Sequence, residues 1–129
     1  MHHYIIIFNF VRIIEHVKNK KMELSKKDRK VARQIIEDGL QKEFGKGLDK
    51  IDKVLKKWKE EKQDNRESYH LLFKTIKDFD KHIAKRYDNM TGSKYIFIIA
   101  SQLHDDIISE GSLIELREEV IRKIKFLIS

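Results

Sequence analysis

The chain has 129 residues with 28 Lys and Arg against 21 Asp and Glu, a formal charge of +7, and it contains five glycines, no proline and no cysteine. The length suits one domain with a core of its own. Lack of cysteine excludes disulfides, thiolate chemistry and Cys-based zinc sites, and fits a reducing cytoplasm, the expected location. With so little to turn the chain, an all-α class is predicted.

The basic balance is weak evidence for a nucleic-acid partner. Residues 1–21 carry Arg12, Lys18, Lys20 and Lys21 against Glu15, so the remainder holds only +4. The chain is also rich in Ile, Lys, Asn and Phe, the residues that AT-rich coding favours, and lysine excess can follow from codon supply alone.

His2 to Val17 reads H-H-Y-I-I-I-F-N-F-V-R-I-I-E-H-V, an apolar run interrupted by Asn9, Arg12 and Glu15. It is too short and too interrupted to span a bilayer, and it lacks the charge order and cleavage site of a signal peptide. No membrane role is expected. Met22 opens M-E-L-S-K-K-D like a natural helix start. Residues 1–21 are therefore read as an N-terminal extension, either a docking helix or the product of a mis-called upstream start, and residues 22–129 as a single helical-bundle domain.

Ser25 with Asp28 forms a capping box that starts the first helix. Val31, Ile35, Ile36, Leu40 and Phe44 recur at helical spacing, and Leu48, Ile51, Val54, Leu55 and Trp58 continue in the same phase beyond Gly45 and Gly47. One bent helix or two helices satisfy this pattern; the shared phase favours one, bent near Gly45 and ending about Lys62. Asp64 with Glu67 caps the next helix, whose stripe is Tyr69, Leu72, Phe73, Ile76, Phe79, Ile83, Tyr87 and Met90. Asn89, Thr91 and Gly92 end it, and Ser93 is the expected cap of its successor.

Lys94 to Ile108, K-Y-I-F-I-I-A-S-Q-L-H-D-D-I-I, is the hub of the expected fold. Tyr95 to Ala100 are apolar in every direction of a helical wheel, so this helix needs neighbours on all sides, while Gln102, His104, Asp105 and Asp106 lead out to solvent. A strand is the rival reading of Tyr-Ile-Phe-Ile-Ile, but it finds no partner strand in this chain. Ser112 with Glu115 is the best capping box in the sequence and predicts the start of the last helix. There Leu113, Leu116, Val120, Ile121, Ile124, Leu127 and Ile128 face inward. Short connections make neighbouring helices antiparallel. The expected fold is a small antiparallel bundle of four main helices, one of them long, with an extra N-terminal helix if residues 1–21 dock.

No catalytic constellation stands out. Glu67 and His70 have the E-x-x-H spacing that di-iron bundles use twice, but there is no second copy and no supporting glutamate, so neither metal nor cofactor is expected. His104, Asp105 and Asp106 diverge by about 100° per residue and cannot converge on one small site. There is no Gly-rich phosphate loop and no nucleophile motif.

Two binding candidates remain. Lys42, Lys46, Lys50, Lys53 and Lys57 form a row about 22 Å long on one helix face, able to follow a phosphate backbone. Interleaved Asp49 and Asp52, with Glu60 and Glu61 beyond, favour an ordinary solvated face instead. Trp58 is the candidate interface anchor, set against a place in the core. The aromatic line of Tyr69, Phe73, Phe79 and Tyr87 is expected to pack, and His82 and Arg86 to face outward. The functional expectation is a helical-bundle protein that acts by binding, through protein-protein interaction or self-association as a homodimer. The alternative is a nucleic-acid accessory protein that uses the lysine row.

Overall fold

The computed structural model describes residues 23–129, and among them it forms four α-helices and no strand. These are α1 (Lys26–Glu60), α2 (Asn65–Tyr87), α3 (Tyr95–His104) and α4 (Glu118–Leu127), with short 3-10 turns at Gly92–Lys94 and Glu110–Leu113. The all-α bundle class expected from the sequence is the class observed. The extension read at residues 1–21 lies outside the described residues. No helix among the described residues is long and apolar enough to cross a membrane.

α1 begins as expected, with the Asp28 N–H donating to Ser25 Oγ at 3.0 Å. It then runs as one helix of 35 residues through both Gly45 and Gly47, about 52 Å at the usual rise. Lys62, with φ of 48°, turns the chain. Asp64 caps α2 by accepting from the Glu67 N–H at 2.9 Å.

The chain divides into two compact units. Among the described residues, one comprises residues 23–39 together with Asn89–Ser129, and it holds nearly all the buried apolar side chains. α3 is its hub and is a helix, as predicted. Tyr95, Ile98, Ile99 and Ala100 are buried, as are Ala32, Ile35 and Ile36 of α1 and Val120, Ile124 and Leu127 of α4. Burying a side chain of this size contributes about 1.5–3 kcal/mol, so the set is the main source of this unit's stability.

Four local expectations fail in this unit. Ser93 does not cap α3: it sits inside the 3-10 turn, and Lys94 takes the cap position without a side-chain bond. Gln102 does not lead out to solvent. It is fully buried, and its Nε2 donates to the Ile36 carbonyl at 3.1 Å. α3 also stops at His104, earlier than expected, because Asp106 takes a left-handed conformation with φ of 58°. The Ile107 N–H then reaches back to the Gln102 carbonyl at 2.9 Å and the Asp106 N–H to the Leu103 carbonyl at 3.2 Å, which is a Schellman ending.

The fourth failure is the Ser112–Glu115 capping box. Ser112 lies in a 3-10 turn and α4 starts only after Arg117, whose backbone is extended. The reason is Asp28, a fully buried carboxylate on α1. It accepts from the Arg117 backbone N–H at 3.2 Å and from the Arg117 guanidinium Nε, so Arg117 cannot give that N–H to a helical partner. Burial pushes the Asp28 carboxyl upward, but the Arg117 and Ser25 hydrogen bonds and the guanidinium charge outweigh it and hold the group below the usual aspartate range.

The second unit, Leu40–Asp88, is a hairpin of the latter part of α1 and α2. Its helices run antiparallel: Glu43 near the start meets Arg86 near the end, Gly47 meets Phe79, and Trp58 meets Asn65 beside the turn. Only Glu43, Gly47, Ser68 and Tyr87 in it are buried.

Candidate functional site

The hairpin carries both sequence candidates, and its two helices sort them onto different sides. On α1, at 100° per residue, Glu43, Gly47, Val54 and Trp58 mark the arc that meets α2. Phe44, Leu48, Ile51 and Leu55 lie about 80° further round. On α2, Ser68, Leu72, Phe79 and Arg86 mark the arc that meets α1, and Tyr69, Phe73 and Ile76 lie about 100° further round in the same sense. Because the helices are antiparallel, those equal rotations put both stripes on one side of the hairpin. Leu48, Tyr69 and Phe73 are 65%, 67% and 56% exposed, and Phe44, Leu55 and Ile76 are close to 40%. Tyr69 and Phe73, expected to pack, are therefore among the most exposed large side chains. A two-helix layer has only one inner side, and the stripe that periodicity reveals on α2 is wider than α1 can cover.

The five lysines of the row lie about 100° from the α2-facing arc in the opposite sense. Lys42, Lys46, Lys50, Lys53 and Lys57 are all exposed on one unbroken helix, and among the described residues none of them makes an ion pair. Lys56 beside them is tied to Asp52 at 3.0 Å.

Trp58 is half-buried. Its indole N–H donates to Asn65 Oδ1 at 2.8 Å, which fixes the ring at the turn end of the hairpin. Beside it Val54, Leu55, Trp58, Asn65, Ser68, Tyr69 and Leu72 line an open apolar pocket of about 170 Å³. Ser68 is only 8% exposed, and among the described residues its Oγ has no hydrogen-bond partner.

The inner side of the hairpin holds a polar cluster that sequence reading missed. Glu43 is buried, with Oε1 in an ion pair with Arg86 Nε at 3.0 Å and 3.1 Å from His82 Nε2. The Arg86 side chain, expected to face outward, is only 6% exposed, while His82 keeps nearly half its surface in water. The signal was present: Glu43 shares the inward arc of Ile36 and Gly47, where a charge needs a partner. Asp28 was legible in the same way, lying four and seven residues before Ala32 and Ile35.

Glu67 and His70 are exposed in the first turns of α2, and His104 and Asp105 are half-buried at the end of α3. Among the described residues, no group of three or more His, Asp or Glu side chains is placed to hold a metal ion. Set beside protein-family models, curated proteins and solved structures, the chain matches none of them.

Proposed function

We propose that this protein acts by binding another protein through the apolar side of the Leu40–Asp88 hairpin. The observation that carries this reading is the pair of exposed stripes. With about half of each in water, Phe44, Leu48, Leu55, Tyr69, Phe73 and Ile76 expose roughly 600 Å² of side chain. The largest apolar patch on a typical monomer is about 300–600 Å² and is often functional. Trp58 and its pocket sit at the edge of this surface and serve as the anchor point of the reading, since tryptophan beside a pocket is a common hot spot. The test is a photo-crosslinking residue placed at position 73 or, as control, at position 50 on the lysine side. Protein adducts from 73 and none from 50 support the reading; no adduct from 73 removes it.

A second reading rests on the lysine row, five exposed ammonium groups along about 22 Å of helix that are unpaired among the described residues. It makes the protein a nucleic-acid accessory factor with sequence-tolerant, steeply salt-dependent binding. Replacing Lys46, Lys50, Lys53 and Lys57 by Gln abolishes retention on immobilised nucleic acid at low salt if this reading holds. A wild-type protein that is not retained at low salt ends it.

A further inference from the structure

We infer that the protein bound by the hairpin is a second copy of this chain, the two hairpins closing face to face into a four-helix bundle. This rests on the binding role proposed for that surface and names its partner. The first argument is spacing. Phe44, Leu48, Ile51 and Leu55 follow one another at four, three and four residues, and Tyr69, Phe73 and Ile76 at four and three. That is the seam of left-handed helix packing, in which each side chain enters a hole between four residues of a facing helix. The surface is thus shaped for helices.

The second argument is width. Two such seams lie side by side on one face of the hairpin, and a single helix covers only one groove between them. A partner two antiparallel helices wide covers both, and the hairpin is itself such an object. Phe44, Leu48, Ile51, Leu55, Tyr69, Phe73 and Ile76 are uncharged, and exposed Asp80 continues the α2 spacing at its far end, so a two-fold axis through the face sets apolar positions against apolar positions over most of its length.

The third argument is area. The roughly 600 Å² of exposed apolar side chain per copy, widened by the stems of flanking residues such as Lys59 and Lys77, approaches the roughly 800 Å² per partner of a stable interface. Lys77 already lies over the Phe73 ring, 5.6 Å from its centroid. The pocket between Leu55, Trp58, Ser68 and Tyr69 gives the bundle a place for one intruding side chain at the turn end of each hairpin. Its volume of about 170 Å³ matches a medium apolar side chain, and Ser68 Oγ offers that visitor an unused hydrogen-bonding group.

The experiment uses the full chain. Sedimentation equilibrium from about 5 to 200 μM is expected to show the mass rising towards twice the 15.5 kDa of one chain. Emission from Trp58, the one tryptophan in the sequence, is expected to move to the blue over the same range. Leu48→Glu and Phe73→Glu change exposed residues and leave the helical circular dichroism intact. Each is expected to weaken association by about a hundredfold or more and to hold Trp58 emission at its dilute value. A wild-type monomer at 200 μM overturns the inference, as does a dimer that neither substitution weakens. The crosslinker at position 73 separates the two levels of the argument. Adducts of twice the chain mass support the second copy. Adducts with a protein of another mass, or within one chain to residues 1–21, overturn the second copy, and the former leaves the binding role standing. No adduct at all removes both.

Discussion

Gln102 lies so close to Gly39 that a β-carbon at position 39 would stand 2.2 Å from its Nε2. The amide is at the far end of a flexible side chain, but it is fully buried and bonded to the Ile36 carbonyl, so it cannot move aside without losing that bond. Gly39→Ala is therefore expected to destabilise by about 2 kcal/mol or more, although alanine gains about 1 kcal/mol in helix propensity. Denaturation in urea measures the loss. Adding Gln102→Ala should relieve part of the clash, and a double variant no better than the sum of the singles contradicts this explanation.

Two further glycines of α1 should respond in opposite directions. A β-carbon on Gly45 meets nothing within 4 Å, and one on Gly47 meets the Phe79 ring at 2.7 Å. Gly45→Ala should stabilise the helix by about 0.5–1 kcal/mol and raise the melting temperature by a few degrees. Gly47→Ala should lower it, because the ring it displaces packs edge-on against Phe44 with centroids 5.8 Å apart. Thermal melts that move the same way for both substitutions count against this account.

The Asp28–Arg117 pair predicts an acid-sensitive term. Its carboxyl is held below the ordinary aspartate range, so the pair's contribution is complete above about pH 4 and is lost as pH falls through the lower, folded value. Asp28→Asn should flatten stability against pH in that window. Arg117→Met should be the worse change at pH 7, costing about 2–4 kcal/mol, because it strands a buried carboxylate, whereas Asp28→Asn strands a half-exposed guanidinium. The deficit of Arg117→Met should shrink on acidification as that carboxyl takes up a proton. Urea midpoints at pH 7, 5 and 3 distinguish the two.

Asp106 holds the left-handed position that ends α3, a conformation glycine adopts without steric cost. Asp106→Gly is expected to stabilise by about 0.5–1 kcal/mol, since the side chain is exposed and only its backbone is constrained. A neutral or destabilising result in chemical denaturation shows that the carboxylate does more there than tolerate the turn.

These positions also show what was readable from the residues alone. Helical periodicity identified α1, α2 and α3 and the apolar hub at Tyr95 to Ala100, because those patterns are set by local winding. It overstated the packing of Tyr69 and Phe73, since periodicity reports which face is apolar and not whether anything covers it. Gln102 looked like a polar exit because its partner is a backbone carbonyl 66 residues away, which no local pattern encodes. The Ser112–Glu115 cap failed for the same kind of reason, with a hydrogen bond to Asp28 prevailing over the local signal. At the candidate site the lysine row and Trp58 were visible as patterns on one helix. Helical spacing alone sets the lysine row opposite the α1 stripe; that the α2 stripe lies on the same side as the α1 stripe appears only once α2 is paired with α1.

The Glu43–Arg86 contact has one more implication, for how the hairpin avoids sliding. Heptad-like seams tolerate slippage by one turn, about 5.4 Å, because one aliphatic residue replaces another at little cost. Here such a slip would keep only one of Glu43's two partners in reach, because His82 and Arg86 lie one turn apart on α2, and among the described residues Oε2 already lacks a hydrogen bond. Losing one partner of a buried carboxylate costs about 1–3 kcal/mol. A single charged residue thus works as a detent, selecting one alignment of α2 on α1 from several that the apolar contacts alone would accept.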